Sequence, residues 1–218
     1  MRNLTAIVIG ATGATGKELI KLLSGDEDFQ KVMIFIRRDD DDLNHPKLEK
    51  NIVDFNRIDD WKNDLRGDVF FSALGTTLKQ AGSEAAQRKV DFAYQFETAK
   101  AAAENGVKNY VLVSSTGANP KAFFFYPRMK GELEEAVKTL DFQRIHVFQP
   151  GILDRDAADE RPLENLGLTA IKALNSIGLF KSQTPMPVKV LAKKMIKVSK
   201  SARTEKVNYY KLNEIFDL

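Results

Sequence analysis

The sequence predicts a doubly wound α/β fold on a parallel sheet, with a small C-terminal lobe. Three observations carry this. Short apolar runs alternate with helical patterns as far as Pro150, the signature of βαβ units. A turn of small residues, Gly10-Ala11-Thr12-Gly13-Ala14-Thr15-Gly16, joins the first apolar run to the first helical pattern. Beyond Gly151 the alternation stops, and too few residues remain for a large second domain.

The elements follow in order. Thr5 to Ile9 is the first strand, and its helix ends near Gly25. Lys31 to Arg37 is β-branched and aromatic enough for a second strand, and Asn51-Ile52-Val53 reads as a short third. Asp68 to Leu74 is the fourth, closed by Gly75. Ala85 to Asn105 is a long alanine-rich helix with Gly106 just past its end. The fifth strand is Asn109 to Val113, ending in Ser114-Ser115-Thr116-Gly117. A helix from Pro127 to Leu140 leads to the sixth strand, Gln143 to Phe148. After it, Leu163 to Ile177 has an amphipathic helical pattern, and Pro185 and Pro187 mark a break. From Val188, apolar residues recur at helical spacing with Lys189, Lys193, Lys197 and Lys200 opposite, and Lys206 to Tyr210 suits a last strand.

Composition narrows the class. Hydrophobic residues are 43% and charged residues 29% of the 218, the balance of a soluble globular protein. A net charge of +3 is too small to argue for nucleic acid or an anionic membrane as partner. The absence of cysteine excludes disulfides, thiolate catalysis and cysteine-ligated metals. The run Ala6 to Ile9 is too short for a secretory signal, and no segment approaches a membrane span. The expectation is a cytoplasmic enzyme or binding protein. Residues 1–218 would form one domain, with 152–187 supplying most of the lobe that meets a substrate.

A buried strand, a glycine turn and a helix start together make a site for a dinucleotide pyrophosphate. The glycines admit the phosphates close to the backbone, and free N–H groups at the helix start point at the negative charge. The spacing here is G-x-x-G-x-x-G rather than the commoner G-x-G-x-x-G. The second strand ends in Arg37-Arg38, roughly twenty residues past the loop, where an NAD-preferring fold places an acid. Arginine pairs with a 2′-phosphate and stacks on adenine, so the two argue for NADP over NAD. The plainer alternative is that they are solvated and balance the aspartates Asp39 to Asp42. Asp54 and Phe55 follow the third strand, where adenine would lie; Asp54 suits the exocyclic amine or a simple turn.

Tyr126 and Lys130 are four residues apart, one turn of helix, with Pro127 at a position where its missing N–H is harmless. An ammonium one turn away favours the phenolate and lets Tyr126 exchange a proton with a substrate oxygen. The hydroxyls of Ser114-Ser115-Thr116, at the end of the preceding strand, suit the orientation of that oxygen.

These segments resemble an atypical short-chain dehydrogenase/reductase of the Tat-interacting-protein-like branch, over nearly the whole chain. The matching stretches are Gly10 to Gly16, Ile36-Arg37-Arg38, and Ala73-Leu74-Gly75-Thr76-Thr77 with Gly82. Val113 to Ala118, Tyr126 with Lys130-Gly131-Glu132, and Phe148-Gln149-Pro150-Gly151 complete them. The three-residue glycine spacing is usual in that family. The resemblance implies a Rossmann-like fold binding NADPH across the switch point of the sheet. Leu74, Gly75 and Thr76 would line the cofactor ribose, and Pro150 to Ile152 would lie beside the nicotinamide. Tyr126 would be the acid, Lys130 would hold the ribose hydroxyls, and Ser115, chosen over Thr116, would orient the substrate oxygen. The helix asparagine that completes the proton relay in other members has no counterpart in the sequence; Asp91 lies in the relevant helix and reads equally as a surface residue.

The expected function is therefore NADP(H)-dependent reduction of a carbonyl-like small molecule, whose identity the sequence leaves open. The rival is an NADP(H)-sensing regulatory protein that acts on a protein partner. A sugar-nucleotide epimerase or dehydratase is disfavoured by the short C-terminal lobe. Phe123-Phe124-Phe125 suit an apolar substrate wall, a lid, or packing on that lobe. His45 and His146 are isolated, without metal-ligand spacing, and His146 reads as a bonded core or edge residue. The lysine face of the late helix reads as its solvated side.

Overall fold

Ala6, Ile7, Val8 and Ile9 are all fully buried, as a strand covered on both faces requires. The computed structural model describes residues 1–154, 185–201, 204–212 and 214–218. Its main sheet has seven strands, all paired in parallel, in the order β3-β2-β1-β4-β5-β6-β9. The strands are β1 (Leu4–Ile9), β2 (Phe29–Ile36), β3 (Leu48–Ile52), β4 (Val69–Ser72), β5 (Asn109–Val113), β6 (Arg144–Gln149) and β9 (Val207–Lys211). The order reverses between β1 and β4, which opens the crevice at their carboxyl ends.

Strand alternation divides the core in two. Val8, Ile34 and Phe71 face α1 (Ala14–Gly25) and α6 (Val188–Ser199), meeting Leu19, Ile20, Leu23, Leu191 and Met195. Ile7, Ile9, Phe35, Phe70 and Tyr110 face α4 (Gln95–Glu104) and α5 (Phe125–Lys138), meeting Ala99, Ala102, Leu133 and Val137. Each such leucine or valine contributes about 2 kcal/mol by leaving water. Lys189, Lys193 and Lys197 lie on the exposed face of α6 as expected, whereas Lys200 turns onto Asp26 and Asp28 at 2.7 and 3.1 Å. His146 is buried, with its Nδ1 2.9 Å from the Tyr210 hydroxyl.

Three elements differ from the sequence reading. β3 is longer because it is an edge strand paired only to β2, so Glu49, Lys50 and Asn51 need not be apolar. The long helix runs without a break from Glu84 to Glu104 but contains a π-turn over Lys89–Tyr94 between α3 (Glu84–Arg88) and α4, and a separate short α2 (Leu78–Ala81) precedes it. Two short strands were not foreseen, β7 (Leu153–Asp154) and β8 (Met186–Pro187), which pair in parallel beside Ile152. The helix expected at 163–177 and most of the lobe expected at 152–187 lie outside the described residues. The chain closes with α7 (Glu214–Asp217) against α6. Among the described residues no helix is long and apolar enough to cross a membrane.

Candidate active site

The glycine turn leaves the carboxyl end of β1 at the switch point and is packed without slack. Gly10 has φ of +79°, and a Cβ there would fall 2.4 Å from the backbone of Ala73 and Leu74 in the loop after β4. A Cβ on Gly16 would fall 2.1 Å from the Gly10 carbonyl oxygen. Ala11, Thr15 and Gly16 are accordingly buried, while Thr12 and Gly13 face outward and Ala14 is half-buried. Gly13 caps α1 without a side chain, so no side-chain oxygen occupies the first N–H groups of the helix. A bare helix start beside a backbone that admits no side chain fits a pyrophosphate.

Beyond Thr12 lies a cavity of about 560 Å³ lined by Arg37, Arg38 and Asp39 to Asp42. Three of the four acids there are paired. Lys50 holds Asp39 at 2.8 Å, and Lys17 lies 3.7 and 3.9 Å from Asp40 and Asp42. The Lys50 bond, then the Asp40 N–H, keep the Asp39 carboxyl below its ordinary value. Arg37 and Arg38 are exposed and have no ion-pair partner among the described residues. Two free guanidiniums beside aspartates that are mostly paired with lysines fit a phosphate on the adenosine ribose. Asp54 caps the following 3₁₀ turn, accepting from the Asn56 N–H at 2.9 Å and the Asn56 Nδ2 at 2.8 Å. Phe55 is buried between Trp61 and Tyr94.

The loop after β4 is held from below. The Thr76 N–H donates to Asp91 Oδ2 at 2.8 Å, Gln87 Nε2 donates to the Thr76 carbonyl at 3.2 Å, and Leu74 packs against the core. A Cβ on Gly75 would lie 3.3 Å from Asp91 Oδ1. Asp91 sits in the π-turn and is 1% exposed, so it is no surface residue. Its other oxygen faces the Lys130 ammonium at 3.8 Å, and Lys130 is 3% exposed. Burial pushes the Asp91 carboxyl above its ordinary value, against the Lys130 charge and the Thr76 N–H. The Lys130 ammonium meets Asp91 at 3.8 Å and has no nearer side-chain partner among the described residues, so donors remain for a ligand such as a ribose diol.

Tyr126, one turn before Lys130 on α5, is 38% exposed and open to a substrate. Ser115 is half-buried, and its hydroxyl donates to the Thr116 carbonyl at 3.3 Å. Its neighbour Ser114 is buried and donates to Glu134. The Thr116 N–H donates to the Pro150 carbonyl at 2.9 Å, and the Asn119 N–H to that of Pro127 at 3.0 Å. These bonds fix the segment that carries Ser115 against Pro150 and against the start of the helix that carries Tyr126 and Lys130, whereas Arg37, Arg38, Asp54 and Phe55 follow β2 and β3 on the other side of β1. Two further residues belong to the site and were not read from the sequence, Asp91 as an inward carboxylate and Glu134. Glu134 stands one more turn along the Tyr126–Lys130 face, a spacing that pointed to it. Among the described residues no cluster suits a metal ion.

A family model described as NAD(P)H-binding matches residues 10–161, beginning at the first glycine of the turn. The chain belongs to that family. HTATIP2 of Rattus norvegicus is 37% identical to this family member, over 75% of this chain and 69% of its own length. FMP52-1 of Scheffersomyces stipitis is 34% identical, over 81% of this chain and 79% of its own. Both place it among the atypical short-chain dehydrogenases/reductases. The oxidoreductase YlbE of Lactococcus lactis superposes with a TM-score of 0.67, covering 98% of this chain and 95% of the other at 16% identity, which shows the shared Rossmann-like fold. The FMP52 relatives are named mitochondrial, and that overturns the expected cytoplasmic location. The expectation rested on the lack of a secretory apolar segment, a feature that mitochondrial targeting does not use.

Proposed function

We propose that this chain is an NADP(H)-dependent reductase of a carbonyl-like small molecule. One observation supports the reading above the rest. Tyr126 is exposed at the crevice, and Lys130 behind it is buried and tied through Asp91 to the Thr76 backbone of the loop after β4. A proton donor is thereby held in register with the loop that would carry the cofactor ribose.

Residues 10–16 would hold the pyrophosphate, Arg37 and Arg38 the 2′-phosphate, Asp54 and Phe55 the neighbourhood of adenine. Leu74, Gly75, Thr76 and Lys130 would hold the nicotinamide ribose, with Pro150 and Ile152 beside the ring. Bound NADPH supplies the hydride that the carbonyl carbon accepts. Tyr126 donates its phenolic proton to the carbonyl oxygen, giving an alcohol, and regains a proton from solvent. Ser115 donates a hydrogen bond to the same oxygen. Lys130 stabilises the transient tyrosinate by its charge. Fixing donor and acceptor in one crevice supplies much of the acceleration.

The test is a screen of aldehydes, ketones and quinones with NADPH and with NADH, followed by nicotinamide absorbance. Tyr126→Phe is expected to lower kcat about 10²-fold or more while NADPH binding persists. Turnover that is unaffected by Tyr126→Phe would overturn this mechanism, and NADPH binding without turnover of any carbonyl would favour an NADP(H)-sensing protein that acts through a partner.

A further inference from the structure

We propose that Glu134 is a positioning residue of the active site, joining the three chain segments that meet the nicotinamide end of the cofactor. It lies on α5, one turn beyond Lys130 and two beyond Tyr126, so the three share a helix face. Only 4% of it is exposed. Its carboxyl accepts from the Ser114 hydroxyl and from Gln149 Nε2, at 2.9 Å on one oxygen and 3.0 Å on the other. Ser114 directly precedes Ser115, and Gln149 directly precedes Pro150.

One carboxyl therefore fixes the end of β5, the end of β6 and the helix that carries Tyr126 and Lys130. A buried carboxyl costs free energy unless its oxygens are satisfied, and every donor that satisfies this one comes from a segment that ends in the site. Burial pushes Glu134 above its ordinary value, and the Gln149 and Ser114 bonds oppose that. None of these partners belongs to the glycine turn or to the Arg37–Arg38 cavity. Disturbing Glu134 should loosen the nicotinamide end and leave the adenosine end intact.

The inference rests on the reading of Ser115, Tyr126 and Pro150 as one end of a cofactor site, and its test does not need turnover. Two ligands are titrated calorimetrically, NADPH and the 2′-phosphate of ADP, which lacks both the nicotinamide and its ribose. Glu134→Gln turns an acceptor pair into a donor and an acceptor, setting an NH₂ against Ser114 or Gln149. It should weaken NADPH about tenfold and change the shorter ligand less than about twofold. The reciprocal exchange, Glu134→Gln with Gln149→Glu, restores the donor–acceptor match and should recover most of the NADPH affinity. Ser114→Ala removes one arm and should show a smaller loss of the same kind; it decides the matter if Glu134→Gln does not fold. Equal weakening of both ligands would overturn the proposal in favour of a merely structural residue, as would unchanged NADPH binding in both single variants. A wild-type protein that binds NADPH but reduces no carbonyl would overturn the reductase reading alone, and the ligand split would still decide the role of Glu134.

Discussion

The ammonium of Lys130 lies 3.8 Å from a carboxyl oxygen of Asp91, and neither side chain is more than 4% exposed. Separating such a pair leaves a charge in a poorly solvated place. Asp91→Asn keeps an acceptor for the Thr76 N–H but removes the counter-charge of Lys130. It should cost on the order of 3 kcal/mol, read from urea unfolding, because the remaining ion lacks compensation. An unchanged unfolding midpoint would mean that water, not Asp91, neutralises Lys130.

Replacing Arg37 and Arg38 with alanine separates the two cofactors. A charge-assisted contact contributes about 1.5–3 kcal/mol, so NADPH should bind at least about tenfold more weakly to the double variant. NADH affinity should stay near that of the wild type. Competition binding measures both, and an equal loss for the two would assign the arginines to the surface.

Two buried carboxyls, Asp91 and Glu134, sit above their ordinary values, chiefly through burial. A raised carboxyl gives most stability when protonated, and the contribution is lost as pH rises from the unfolded value through the folded one. For Glu134 that window opens near 4.5 and extends upward. Unfolding free energies of wild type and Glu134→Gln, compared at intervals from acid to neutral pH, should therefore differ most in favour of wild type at the acid end. The wild-type advantage should shrink as pH rises. A growing advantage would show the carboxylate, not the acid, to be the stabilised form.

Gly16→Ala tests the packing of the turn. The added methyl would meet the Gly10 carbonyl at 2.1 Å, so the turn or α1 must move. Overpacking of this sort costs about 1–3 kcal/mol. NADPH affinity should fall with the thermal midpoint, because the same backbone would face the pyrophosphate. Gly25→Ala is the control, since its Cβ meets nothing within 4 Å.

The strands were legible where both faces are covered. β1, β2, β4 and β5 are mostly apolar runs, while β3, paired on one side, shows only Leu48 and Ile52 as apolar markers. Phe123 and Phe124 are 89% and 73% exposed, so they do not pack on the described part of the C-terminal region. The tyrosine, lysine and glycines stood out because their spacing follows a regular turn or helix. Asp91 did not, because periodicity of 3.6 residues cannot say which way a side chain points inside a π-turn. Asp54 carried two readings, and the Asn56 bonds account for the turn. β7 and β8 are two residues each, too short for any alternation to register.

The π-turn at Lys89–Tyr94 makes the charge balance of α5 depend on an insertion in another helix. Such a turn holds one residue more than the α-turn it replaces. A single-codon deletion within it would close the bulge with the flanking turns still in register, and the residues inside the turn, Asp91 among them, would change direction. In a population of related genes, a missing codon at this point should matter as much as a substitution of Asp91 itself.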